Sequence, residues 1–333
     1  MTDDLETYLK KRKEWETLFF KNGFYGNYDL NKNPQWLPNE PPVSRKYGYL
    51  LKSLSKTMKE GLKNIIEEKE NTQLKTISAL RKRNLLKETD NNLTEQGRVL
   101  AISLLSLDMQ CEILDLDLAR ISPCDNNQKK IEISVLDYYK KKGYFGFYIE
   151  GHLIFEIIKV FIMCTLYPKS IPFFHLIDEL RIKFLGSVIL STDFSEPFYN
   201  EIIHTIETAD ENQFIEYFKI NNSIQRQSIF KRLAGEMNIG LQEPFPEYDI
   251  KEVLLFMRVF KRENFRKIFE KLNKNMTEFS GWPDLLIFND SEYILVEVKK
   301  SDKLIPSQII TLPILKSLGL RVAINKCMNR TNI

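Results

Sequence analysis

Toward its C-terminal end the chain reads GWPDLLIFNDSEYILVEVKK, two apolar runs broken by a few charges. Asp284–Phe288 and Tyr293–Lys299 have the length and aliphatic content of strands, and the four residues Asn289–Glu292 between them are turn formers. A hairpin closed so that Phe288 faces Tyr293 sets Leu285 opposite Val296 and Asp284 opposite Glu297. Directly opposed residues have Cβ atoms about 4.5–5.5 Å apart. Two carboxylates so placed cannot both stay ionised without a cation between them. Glu297 and Lys299 stand two apart on one strand and leave the same face, while Val296 and Val298 turn to the other.

A divalent cation resolves that repulsion. Magnesium takes oxygen ligands, keeps several waters and is commonly anchored by one or two carboxylates, so Asp284 and Glu297 suffice as protein ligands. Lys299 beside them can hold or help deprotonate an attacking water and offset charge on a phosphate. The predicted chemistry is phosphodiester hydrolysis assisted by Mg2+ or Mn2+. Pro-Asp and Glu-x-Lys are each common. The signal lies in a single acid followed by a lysine on one face of an otherwise apolar strand, joined to an aspartate at matching register. An ion-paired surface hairpin is the plain alternative.

The other 300 or so residues set the context. At 43% hydrophobic and 28% charged, 333 residues supply one large core or two to three small ones, and exclude disordered, collagen-like and disulfide-scaffold classes. His152 to Tyr167, the longest apolar stretch, carries Glu156 and Lys159 and is shorter than the roughly 20 residues a bilayer crossing needs. Met1-Thr-Asp-Asp lacks the parts of a signal peptide, so the cytoplasm is expected, with nucleoid association in a bacterium. Cys111, Cys124, Cys164 and Cys327 are widely separated and read as reduced thiols. Three histidines, none paired at helical spacing, do not support a histidine metal cage or a Ser-His dyad. The net charge of +3, from 48 basic and 45 acidic residues, does not by itself announce nucleic acid.

Residues 3–22 read as an amphipathic helix, and Pro34, Pro38, Pro41 and Pro42 mark a linker. From Lys46 to Leu107 the pattern is helical segments, a basic helix at Leu74–Asn84, a turn at Asp90-Asn91-Asn92 and a helix capped by Thr94, the order of a winged helix-turn-helix. Lys75, Arg81, Lys82, Arg83, Lys87 and Arg98 outnumber Glu88, Asp90 and Glu95 between Thr72 and Leu100, six to three. Phosphate contact is the expected use of that excess. Glu150 to Leu166 has the apolar spacing of a helix with one buried face, and the chain stays helical in pattern through Phe173–Leu185 and Tyr248–Asn273.

The phrases GWPDLLIF, LVEVKKSDKL and the SQ that opens the last helix resemble the VRR-NUC domain of the PD-(D/E)XK nuclease superfamily, in particular the Fanconi-associated nucleases. YYKKKGYFGFYIEGHLIFEIIKVFI is similar to the family's segment in which a Glu-Gly pair opens a helix. The resemblance implies a metal-binding set of Glu150, Asp284 and Glu297 with the Val298 carbonyl, Lys299 alongside, and Gln308 working beside the active site. By itself Glu150 is a first-turn carboxylate that favours the helix dipole, and Gln308 reads equally as a surface helix amide. Lys300-Ser301 replaces the family's Gly-Pro pair in a loop one residue shorter, and Thr311 stands where the family has tryptophan.

The expected architecture is α/β and rich in helix, a restriction-endonuclease-like PD-(D/E)XK core preceded by a winged helix-turn-helix. Its parts are an N-terminal helix and linker (1–44), the winged helix (45–110), a further linker (111–145) and the nuclease domain (146–333) with a helical insertion at 168–280. Lys75, Arg81, Lys82, Arg83, Lys87, Lys300 and Lys303 are the expected DNA contacts. The resemblance implies DNA with flaps, junctions or ends as substrate, in repair. A DNA-binding regulator with an inert nuclease fold, a nuclease of phage or mobile-element defence, and a nuclease of RNA remain open readings.

Overall fold

Among the described residues five strands assemble into one mixed sheet: β1 (Asp117–Ile121), β2 (Phe145–Tyr148), β3 (Leu285–Phe288), β4 (Tyr293–Lys299) and β5 (Val322–Cys327), in the order β1-β5-β4-β3-β2. The computed structural model describes residues 43–69, 72–122, 130–149, 151–166, 196–226, 248–274 and 281–328. The helix expected at 3–22, the proline-rich linker, Cys124, Glu150 and the helix expected at Phe173–Leu185 lie outside the described residues.

The β3–β4 hairpin pairs Leu285 with Val296 and Phe288 with Tyr293, the register expected from its four-residue turn. Asn289 closes that turn, its Oδ1 accepting from the amides of Ser291 (2.9 Å) and Glu292 (3.0 Å). Strand alternation then sends Leu286, Phe288, Leu295 and Ile324 into the larger apolar cluster, and Leu285, Ile287, Val296 and Val298 into a smaller one. Because Glu297 shares its parity with Leu295, it faces the larger cluster.

Twelve helices among the described residues surround the sheet: α1 (Val43–Ser53), α2 (Lys56–Ile66), α3 (Leu74–Arg81), α4 (Glu95–Leu104), α5 (Leu107–Ile113), α6 (Ile131–Lys140), α7 (His152–Leu166), α8 (Glu196–Thr208), α9 (Glu211–Arg226), α10 (Ile250–Phe260), α11 (Arg262–Lys274) and α12 (Pro306–Ser317). α6 covers the smaller cluster with the fully buried Val135. α7, α10 and α12 contribute Phe155, Phe256 and Leu312 to the larger one. No described helix is long and apolar enough to cross a membrane. Cys111, Cys164 and Cys327 are buried, and burial pushes the Cys111 thiol up to about 11.

Upstream, α1 to α3 lead into a tight turn in which Asp90 accepts from the Asn92 amide (2.8 Å), and Leu86 and Leu93 form one antiparallel bridge. Thr94 caps α4 by accepting from the Gly97 amide (3.1 Å). α4 and α1 both pack on α12, and Val43–Ile333 forms a single compact unit.

Two expectations are corrected. The 111–145 segment is not a linker: its Asp117–Ile121 forms β1, pairing in parallel with Ala323–Cys327, and its Ile131–Lys140 forms α6. A parallel edge strand needs a partner far along the chain, so its local text carries little signal. The helical pattern Tyr248–Asn273 is two helices, broken at Lys261, which has φ +66°. Asn264 completes the break by donating its side-chain amide to the Phe260 carbonyl (2.5 Å) and to the Tyr293 hydroxyl (3.1 Å).

Candidate active site

At the end of β4 the sheet presents Glu297 and Lys299, 1% and 5% exposed, with Lys299 Nζ 2.8 Å from Glu297 Oε1. Asp284 sits one step beyond the paired end of β3 and accepts from the Val298 amide at 2.9 Å. Gln308, in the first turn of α12, is buried and donates its Nε2 to Glu297 Oε1 at 2.6 Å. Its own Oε1 accepts from the Ile305 amide (3.1 Å), which closes the helix N-terminus and fixes the amide's orientation. Asp302 reaches Lys299 Nζ at 3.3 Å from the following loop. The structure therefore brings Asp284, Glu297, Lys299 and Gln308 together. Val298 contributes its amide here, and its side chain lies in the smaller cluster on the opposite face.

Two glycines let the Asp284 segment approach this closely. Gly281 lies against the Ser307 carbonyl, and a Cβ there would also come within 2.6 Å of the Gln308 amide nitrogen. Gly151, at φ +80°, lies under the Trp282 ring, where a Cβ would meet the indole at 2.6 Å. Trp282 is 6% exposed and packs edge-on against Phe155, 4.9 Å between centroids, so packing is its role. Gly281→Ala is expected to cost about 1–3 kcal/mol through overpacking, lowering the melting temperature, and to reduce cleavage by displacing Gln308 from Glu297. A melting curve and a cleavage assay on the same preparation check both effects.

The electrostatics of the pair follow from its burial. Desolvation, then the charge of Asp284, pushes Glu297 up to about 8 although Lys299 pulls the other way. Burial also works against the charge on Lys299, but Glu297 and then Asp302 outweigh it and hold the ammonium above the usual lysine range. Oε2 of Glu297 is buried without a hydrogen-bond partner. A buried acceptor with no donor is what a cation satisfies. The oxygen-only donor set suits a hard ion such as Mg2+ or Mn2+ rather than zinc. Among the described residues no group of three or more His, Cys, Asp or Glu converges to hold a metal. Ile149 donates its amide to the Asp284 carbonyl at 2.8 Å, and Glu150, the residue after it, lies outside the described residues.

The expected DNA contacts divide into two groups. Lys75, Lys82, Lys87 and Lys300 are exposed. Arg81 is turned onto the wing-like turn, donating to Asn91 Oδ1 at 2.9 Å, Arg83 donates to Ser53 Oγ at 2.9 Å, and Lys303 donates to the Leu104 carbonyl at 3.1 Å. Asp302, as the partner of Lys299, was not anticipated, although an acid three residues after the lysine is a local signal. Gln110, buried and bonded to Leu304, carries no such signal.

Residues 221–328 match the VRR-NUC domain model, a stretch that spans β3, β4, α12 and β5 and so contains Asp284, Glu297, Lys299 and Gln308. The resemblance read from the C-terminal motifs holds over that stretch, on a helix-rich α/β scaffold. Similar solved structures include paFAN1 bound to 5′ flap DNA with a gap, in a 2-nucleotide and a 1-nucleotide flap form. Each is 16% identical, with TM-scores of 0.46 and 0.47, over 85% and 98% of this chain and 52% and 63% of theirs. The chain thus spans between half and two thirds of the length of those proteins. No curated protein matches it.

Proposed function

We propose that this chain is a metal-dependent DNA nuclease of the PD-(D/E)XK type, acting on DNA with flaps, junctions or ends. The observation that carries the reading is the pairing of half-buried Asp284 with buried Glu297 beside Lys299, with a donorless Glu297 oxygen, inside the stretch that matches the VRR-NUC domain. Asp284, Glu297, the Val298 carbonyl and Glu150 would hold Mg2+ or Mn2+. Bound there, the ion supplies Lewis acidity and a lowered pKa for a water nucleophile. Lys299, held above the usual lysine range, keeps its proton. It therefore orients the water and offsets phosphate charge rather than serving as the base. Gln308 holds Glu297 in place through Oε1 and leaves Oε2 turned to the ligand position.

The upstream helices complete the reading as a winged helix-turn-helix that grips the DNA. Supporting it are the order of α1 to α4, the Leu86–Leu93 bridge standing where a wing begins, and the exposed Lys75, Lys82 and Lys87. Arg81 and Arg83 serve chiefly to hold the turn and α1 in this arrangement, and Lys300 and Lys303 extend the basic surface beside the site. Substrate class rests on the VRR-NUC resemblance, with repair as the setting.

The test is incubation of wild-type and Asp284→Ala protein with labelled flap, junction, duplex and single-stranded DNA, and with RNA, with and without Mg2+ or Mn2+. Metal-dependent cutting of structured DNA that the substitution removes supports the proposal. Binding without cleavage in every metal points instead to a DNA-binding regulator, and cleavage surviving Asp284→Ala removes the site assignment.

A further inference from the structure

Gln110 on α5 is fully buried, and its side chain reaches a segment of chain that follows the Lys299 strand. Its Nε2 donates to the carbonyls of Ile102 (3.0 Å) and Leu304 (3.2 Å), and its Oε1 accepts from the Leu304 amide (2.8 Å). A primary amide has two donor hydrogens, and both are used here. The side chain thus engages Leu304 as one strand residue engages another, satisfying its N–H and its C=O together. Leu304 is itself 2% exposed, whereas Ser301, Asp302, Lys303 and Ile305 around it are exposed. Lys303 adds its bond to the Leu104 carbonyl. The segment 300–305 has no regular secondary structure of its own, so its buried anchor is Leu304.

Both ends of that segment act on the site. On one side Asp302 holds Lys299 at 3.3 Å. On the other the Ile305 amide fixes Gln308, which donates to Glu297. We infer that Gln110 is a positioning residue for the Lys299–Glu297 centre: from the upstream helices it sets the 300–305 segment, and through Asp302 and Ile305 that segment sets Lys299 and Gln308. The inference rests on the nuclease reading above and adds to it a route by which the upstream helices fix the reacting groups.

The decisive variant is Gln110→Met, similar in volume and unable to pair with Leu304. A small misplacement of reacting groups is costly, so kcat should fall at least about tenfold while KM for the cleaved DNA stays within about twofold. Amide hydrogen exchange at Leu304 and Ile305 should quicken at least about tenfold while β4 amides keep their protection. A role in overall stability alone would lower the folded fraction without that selective split. A folded variant with wild-type kcat, or with wild-type exchange at Leu304, overturns the inference. Should the variant not fold, the wild-type protein decides: a Leu304 amide as slow as those of α5 supports the anchor, and one as fast as the exposed amides of Ser301 to Lys303 overturns it. A wild-type protein that cuts no nucleic acid sinks the nuclease reading and this inference with it, whereas an active wild type matched by an equally active variant sinks only the role of Gln110.

Discussion

Glu297→Gln is expected to reduce cleavage by at least about 10³-fold and, in the absence of metal at pH 9, to raise the melting temperature. The activity loss follows because an amide cannot serve as an anionic ligand. The stability gain follows from the contacts of the two oxygens. Oε1 accepts from Gln308 and Lys299, which an amide oxygen at that position also satisfies. Oε2 has no partner, and an amide nitrogen there brings a donor toward Asp284. A gain of about 1 kcal/mol reads as roughly 1–2 °C in a protein of this size. At pH 6 the difference should shrink, because Glu297, with its pKa pushed up to about 8, is then neutral and resembles the amide. Paired melting curves at the two pH values, in chelator, measure it. A variant that loses stability at pH 9 would contradict the assignment of Glu297 as a strained carboxylate held for metal.

Apparent metal affinity should rise with pH through the same range. The folded protein without metal keeps the Glu297 proton up to about 8, while the unfolded chain releases it near the ordinary value of 4.5. The folded state binds the extra proton between those values. Its contribution to stability is therefore complete below about 4.5 and declines as pH rises to about 8. A divalent ion competes with that proton, so affinity should increase about 50-fold between pH 6 and pH 8 and level off beyond. Titration calorimetry with Mn2+ in buffers of different ionisation enthalpy reads both the trend and the proton released. An affinity flat from pH 6 to pH 9 would show that Glu297 is not a ligand.

What could be read in advance was what is local. Two adjacent strands and a four-residue turn contain their own register, so the meeting of Asp284 with Glu297 and the shared face of Glu297 and Lys299 follow from a short stretch of text. Thr94 and the Asp90–Asn92 turn were legible because caps and turns act over three or four residues. What could not be read depends on distance along the chain. β1 looks like linker because its partner is β5. Gln110 looks like any amphipathic helix residue until Leu304 lies against it. The break at Lys261 runs against an unbroken apolar period, and tertiary packing of Phe260 and Phe265 overrides that period. Basic residues were legible as charge, whereas their partners within the fold, Asn91 for Arg81 and Ser53 for Arg83, were not.

The pairing of Asp117–Ile121 with Ala323–Cys327 also bears on how the chain reaches its native state. Contacts between distant parts of a chain form late, after the entropy of closing the intervening loop has been overcome, and they slow folding. During synthesis β1 must wait, its edge unpaired, until the 200 residues between it and β5 have emerged. β5 then enters between β1 and β4 and covers the facing edge of each at once. A chain that stops before Val322 leaves the facing edges of β1 and β4 bare as well, the kind of surface that recruits other chains into aggregates.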